Sequence, residues 1–127
     1  MARARTVLIA GAGIGGLSAA IALARAGFRP LILERAHELA EVGAGIQITP
    51  NASRALDRLG VLPAMKKRAV TAKRVIVGDG RSGKTLAEAP LDDAEARFGA
   101  PWLVTLRADL QRVLLEAAQD IVDIEFV

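Results

Sequence analysis

Four glycines fall within six residues of one another in Gly11-Ala12-Gly13-Ile14-Gly15-Gly16, a match to G-x-G-x-x-G. Each position of that spacing has a task in gripping a diphosphate. Gly11 permits a tight turn, Gly13 lets the backbone come close to the phosphates, and Gly16 lets a helix pack against a sheet. A helix starting here offers unpaired N–H groups and a partial positive charge to an anion. Glu34 lies 23 residues after Gly11 and 18 after Gly16. That is near the roughly 20-residue offset at which an acid accepts hydrogen bonds from a ribose. Glu34 disfavours a 2′-phosphate by like-charge repulsion, so the pattern points to NAD or FAD rather than NADP. Arg35 beside it has two readings, as a phosphate contact or as a side chain packed on an adenine face.

The flanking residues must supply the elements. Thr6-Val7-Leu8-Ile9-Ala10 has the profile of a buried parallel strand. Helix formers follow the glycines from Leu17 to Ala24, and Gly27 stands at a plausible C′ position. Ala20 and Gly27 are placed for close helix packing. Pro30-Leu31-Ile32-Leu33 reads as a second buried strand that ends at Glu34. The uncharged run Val7–Ala24, preceded by Arg3 and Arg5 and containing Ala22-Leu23-Ala24, also imitates an export signal. Four glycines make a poor signal core, and the strand–turn–helix order favours nucleotide binding.

A second glycine cluster, Glu41-Val42-Gly43-Ala44-Gly45-Ile46-Gln47-Ile48-Thr49-Pro50-Asn51, predicts a long loop between the second strand and a helix near Asn51–Leu59. Loops of that length in compact domains are often functional. Lys73–Gly78 and Lys84–Glu88 read as strands of a hairpin around Gly78-Asp79-Gly80-Arg81-Ser82-Gly83. Leu91–Gly99 is acidic and loop-like, and Trp102–Leu106 is a short apolar run. Leu110, Val113, Leu114, Ala117 and Ala118 form one apolar stripe, predicting an amphipathic helix over Arg107–Gln119. Arg107 at its start opposes the helix dipole. An anionic ligand would offset that conflict; a solvated arginine is the plain alternative. Ile121–Val127 reads as a further strand.

Composition narrows the classes. The 127 residues carry 17 Lys+Arg against 14 Asp+Glu, a formal charge of +3, and only 3% aromatics. That argues against a base-stacking nucleic-acid surface. The run Lys66-Lys67-Arg68 is expected on a solvated loop or helix end. There is no cysteine, which excludes disulfides and thiolate chemistry and suits a cytoplasmic protein. The single histidine, His37, cannot build a multi-histidine metal site and is expected on a surface loop, so no metal is predicted.

Three blocks, "GAGIGGLSAAIALARAGFRPLILER", "EVGAGIQITPNASRALDRLGVL" and "TLRADLQRVLLEAA", resemble the amino-terminal part of the single-component FAD-dependent aromatic hydroxylases, the group A flavoprotein monooxygenases. Salicylate hydroxylase and 6-hydroxynicotinate 3-monooxygenase are of this kind. The similarity spans nearly the whole chain and is vaguest over 70–98.

The resemblance implies an α/β fold: a Rossmann-type FAD-binding domain with a parallel sheet, made of residues 1–127. Within it, 71–90 would be a β excursion that begins the substrate-domain sheet. It implies FAD, with Gly11, Gly13, Ile14, Gly15 and Gly16 at the pyrophosphate, Glu34 on the adenosine ribose and Arg35 by the adenine. The Gly43–Gln47 loop, with Gly45 and Gln47, would follow the ribityl chain. Arg107 would reach the flavin's phosphate or ribityl side, with Gln111 one turn on. It also implies NADH or NADPH as reductant, O2, and a small aromatic substrate, with no membrane or nucleic-acid partner. An NAD-binding dehydrogenase domain and a non-catalytic nucleotide-binding module are the competing readings. The chain ends within the strand-like "DIVDIEFV", which predicts an incomplete, inactive amino-terminal piece of a longer protein. Its exposed strand edges are a route to homo-oligomers. No catalytic residue is assignable from these residues.

Overall fold

The computed structural model describes residues 5–36 and 44–127. The expectations for His37 and for Glu41, Val42 and Gly43 lie outside the described residues. In chain order the elements are β1 (Thr6–Ala10), α1 (Ile14–Arg25), β2 (Arg29–Glu34), β3 (Gly45–Ile48), α2 (Pro50–Arg58), α3 (Leu62–Lys66), β4 (Val70–Thr71), β5 (Arg74–Gly78), β6 (Thr85–Pro90), α4 (Ala94–Phe98), β7 (Leu103–Leu106), α5 (Arg107–Ala118) and β8 (Asp123–Phe126).

β1 and β2 pair in parallel with Thr6 opposite Arg29 and Ala10 opposite Leu33, and β8 adds to β2 in parallel with Leu31 opposite Asp123. The sheet order is β1-β2-β8. Alternation puts Val7, Ile9, Pro30, Ile32 and Ile124 on one face and Leu8, Ala10, Leu31 and Leu33 on the other. α1 and α5 pack against each other, and their Leu17, Ala20, Ile21, Leu110, Val113, Leu114 and Ala118 join Ile32 in one core. Each large aliphatic side chain buried there contributes about 1.5–3 kcal/mol of transfer free energy. The opposite face is open, and Leu8 is 65% exposed. The expectation that β1 is buried on both faces is therefore corrected for the described chain, because the helices cover one side only.

Several element boundaries differ from the sequence reading. α1 begins at Ile14, so Gly15 and Gly16 lie in its first turn rather than before it. Gly27 has φ +84° and open space where a Cβ would stand. It terminates α1 through its backbone and contributes nothing to close packing, whereas Ala20 is fully buried. The predicted loop across Gly45–Gln47 is strand β3, which pairs antiparallel with β7. Ile46 and Ile48 turn toward the core while Gly45 and Gln47 face out. Leu91–Gly99 contains the short helix α4, ended by Gly99 at φ +72°. α3 and β4 had no counterpart in the sequence reading. In α5 the stripe is rotated: Ala117 is exposed and Gln111 is buried.

The hairpin β5–β6 forms as expected, its turn held by Asp79 Oδ1 accepting from the N–H groups of Arg81 (2.7 Å) and Ser82 (3.1 Å). Two members of the basic run form ion pairs: Lys66 with Glu95 at 3.1 Å, and Arg68 with Glu116 at 3.1 Å and Asp109 at 4.0 Å. Among the described residues, no helix is long and apolar enough to cross a membrane.

Thr105 presents a buried hydroxyl with no hydrogen-bond partner among the described residues. An orphaned buried polar atom costs its desolvation without compensation. We expect Thr105→Val, which keeps the shape and removes the hydroxyl, to raise stability by up to about 1 kcal/mol. Denaturant unfolding of both proteins checks this, and a clearly less stable variant would show that the hydroxyl is satisfied in solution.

Candidate cofactor site

The glycine turn connects β1 to α1 and is constrained from three directions. Gly11 has φ +93°, a conformation that favours glycine. Its N–H donates to Leu33 O at 2.8 Å, which ties the turn to β2. At Gly16 a Cβ would stand 1.9 Å from the Gly11 carbonyl oxygen, so the first turn of α1 sits directly on the bend. Gly13 is the N-cap of α1, with φ −71° and ψ 179°. A Cβ on Gly13 or Gly15 would meet nothing within 4 Å. Those two glycines leave room on the outer side of the turn, whereas Gly16 is required by packing. α1 has no acidic residue in its first turn to cancel its N-terminal charge. Ile14 begins the helix and packs against the core.

Glu34 ends β2 beside this turn. Its Oε2 accepts from the Ala12 N–H at 2.6 Å, and its Oε1 from the Ala36 N–H at 2.8 Å. The Ala12 N–H foremost, then that of Ala36, stabilises the carboxylate and holds its pKa below the ordinary glutamate value, against partial desolvation. The folded-state pKa is depressed, so the stabilisation is complete above the ordinary glutamate range. It is lost as pH falls through that range to the depressed value.

A cavity of about 500 Å³ opens at this corner, lined by Ala10, Gly11, Leu33, Glu34, Arg35 and Val127. Val127 reaches it because β8 continues alongside β2, its N–H donating to Glu34 O at 2.8 Å. Val127 was missed in the sequence reading; no local motif marks it, and only the β2–β8 pairing brings it here. The donor set suits an adenosine diphosphate: a carboxylate for ribose hydroxyls, a helix N-terminus for phosphates, and apolar walls with an arginine for a base.

The remaining candidates lie apart from that cavity. Gly45 pairs with Leu106, and the Arg107 N–H donates to Ala44 O at 3.0 Å, which joins the second glycine cluster to the start of α5. Gln47 accepts through Oε1 from the Trp102 indole N–H at 3.2 Å. Gln111, expected beside the flavin, is turned inward, and its Nε2 donates to Ala12 O at 3.1 Å. The structure thus gathers Gly11, Glu34 and Arg35 around one cavity and sets Gly45, Gln47 and Arg107 along a second edge. Among the described residues no cluster of His, Cys, Asp or Glu could hold a metal ion.

Comparison with known proteins agrees with this fold. Residues 4–126 match the family described as FAD binding domain. The chain is 48% identical over 112 residues to 3-hydroxybenzoate 6-hydroxylase 1 of Aquipseudomonas alcaligenes, covering 87% of this chain and 28% of that protein. It is 44% identical over 122 residues to 3-hydroxybenzoate 6-hydroxylase of Polaromonas naphthalenivorans, covering 95% of this chain and 30% of that one. Among solved structures, the tetrameric form of 2-methyl-3-hydroxypyridine-5-carboxylic acid oxygenase superposes with a TM-score of 0.85 at 29% identity, over 98% of this chain and 32% of that chain. Klebsiella pneumoniae HpxO complexed with FAD and uric acid gives a TM-score of 0.79 at 30% identity, over 94% of this chain and 30% of that chain. The chain therefore spans about 30% of the length of the curated relatives it matches. With its glycine turn, its acid-tipped second strand and a family match over residues 4–126, the chain belongs to the FAD binding domain family.

Proposed function

We propose that this chain provides the FAD-binding part of a monooxygenase that uses NADH or NADPH and O2 to hydroxylate a small aromatic compound. The observation that carries the reading is the cavity formed by Gly11, Glu34, Arg35 and Val127 at the start of α1. The relatives named for hydroxylating 3-hydroxybenzoate support a hydroxybenzoate-like substrate.

In this reading the main-chain N–H groups of Gly13, Ile14, Gly15 and Gly16 face the diphosphate. The Glu34 carboxylate accepts the adenosine ribose hydroxyls, and Arg35 and Val127 flank the adenine. Gly45 and Gln47 line the ribityl chain, and the Arg107 guanidinium offers hydrogen bonds to the flavin's phosphate or ribityl side. The bound flavin would supply the electron transfer and oxygen chemistry, while this chain binds and orients it. The β5–β6 hairpin, with nearly every residue exposed, would belong to the substrate-domain sheet. The edges of β1 and β8 have no strand partner among the described residues and offer a route to self-association. A cytoplasmic location fits the supply of NADH and NADPH that the reaction requires.

The test uses the protein at its full natural length. Purified protein with visible flavin bands, whose NADH or NADPH oxidation rises with 3-hydroxybenzoate and yields a ring-hydroxylated product, supports the reading. A colourless protein that binds NAD instead would favour a dehydrogenase domain.

Glu34 gives a narrower expectation. Glu34→Ala should weaken ADP binding about tenfold, since charged hydrogen bonds to the ribose are lost. Wild-type affinity should also fall toward that of the variant as pH drops below the ordinary glutamate range. Calorimetric titrations at two pH values check this; equal affinities at neutral pH would remove Glu34 from the site.

A further inference from the structure

The inner side of the glycine turn is built with as much specificity as its outer side. Ala12 is fully buried, and both polar groups of its backbone are held by side chains distant in sequence. Its N–H is accepted by Glu34, 22 residues away, and its C=O accepts from the Gln111 amide, 99 residues away. Gln111 is only 5% exposed and lies on the α5 face that packs on α1. A buried amide beside Leu110 and Leu114 would be costly without such a partner.

Planarity gives this contact a consequence. Ala12 C=O and Gly13 N–H belong to one trans peptide unit, so they point in opposite directions. Holding the carbonyl inward on Gln111 aims the Gly13 N–H outward, on the side where a Cβ at Gly13 would meet nothing within 4 Å. Gly11 and Gly13 flank Ala12, and glycine leaves the backbone on both sides free to rotate. The adjoining peptide units are tied elsewhere, the Ala12 N–H to Glu34 and the Gly13 C=O to the Leu17 N–H, and the Ala12 C=O between them is tied by the Gln111 amide.

We propose that Gln111 is a positioning residue for the cofactor site: from α5 it clamps the Ala12–Gly13 peptide so that the Gly13 N–H stays aimed at the diphosphate. The inference rests on the FAD-binding reading above and adds that α5 sets the geometry of the glycine turn. Because Arg107 begins the same helix, the position of α5 links the diphosphate end of the site to its flavin end.

The experiment uses the protein at its full natural length, stripped of flavin, with FAD and ADP as titrants. Gln111→Met keeps the length of the side chain and removes the donor. Gln111→Glu can donate only while its carboxyl is protonated, a form that burial favours at mildly acid pH. Gln111→Met is expected to bind both ligands about tenfold more weakly than wild type. Gln111→Glu is expected to bind nearly as well as wild type at about pH 5.5 and more weakly at about pH 8. Comparison with wild type at each pH removes the titration of Glu34, which shares the Ala12 backbone. If Gln111→Met is poorly folded, the pH-dependent recovery within the single Gln111→Glu protein decides. Wild-type affinity in Gln111→Met, or a Gln111→Glu affinity that keeps a constant ratio to wild type, overturns the positioning role alone. Failure of wild type itself to bind FAD or ADP overturns the FAD-binding reading and this inference with it.

Discussion

Gly16→Ala should unfold or severely destabilise the protein, although it adds a single methyl group. The new Cβ would lie 1.9 Å from the Gly11 carbonyl oxygen, 3.1 Å from the Gly11 carbonyl carbon and 3.4 Å from Ile9 Cγ2. The nearest two atoms are backbone, so no side-chain rotation relieves the collision. Either α1 lifts from the turn or the turn shifts, and each displaces Leu17, Ala20 and Ile21 from the core. Overpacking of this kind costs about 3 kcal/mol or more. In thermal unfolding that is a Tm lower by roughly 10 °C. A variant with the wild-type Tm and undiminished flavin binding would mean that α1 does not sit on the bend as described.

Gly13→Val should do the reverse, leaving the fold nearly intact and removing the ligand. Gly13 has an ordinary extended φ of −71° that valine accepts, and its Cβ would project into open space. The expected loss of stability is about 1 kcal/mol, from a poorer N-cap. On the ligand side the isopropyl group occupies the approach of the diphosphate to the backbone. FAD and ADP affinity should fall about a hundredfold or more. Circular dichroism and ligand titration on one sample separate the two effects. Parallel loss of fold and affinity would assign Gly13 the same packing role as Gly16.

This division between the two glycines shows what the sequence could and could not disclose. The motif and the change of period around it were enough to place β1, α1 and β2, because those elements are contiguous and their apolar residues repeat regularly. Glu34 was legible for the same reason, standing where the second strand ends. β3 and β4 were not, because strands of four and two residues are stabilised only by pairing with β7. α3 and α4 are five residues each, too short to leave a periodic signature. Val127 lines the cavity beside Glu34 through pairing with a strand some 90 residues earlier, a contact that no local pattern encodes. Gln111 is the most instructive case. On a helical wheel Ala117 completes the apolar stripe more naturally, yet Gln111 is the residue buried, because Ala12 O awaits its amide. A buried polar residue is read correctly only when its partner is known.

The most direct test of the account is a crystal structure of the protein at its full natural length with FAD bound. The account predicts the adenosine half in the cavity of Gly11, Glu34, Arg35 and Val127, with ribose hydroxyls on the Glu34 carboxylate and the diphosphate against the N–H of Gly13. FAD held elsewhere, for instance in the groove of Thr49, Asn51, Phe98 and Trp102, with Glu34 still closed on Ala12 and its cavity vacant, would contradict it.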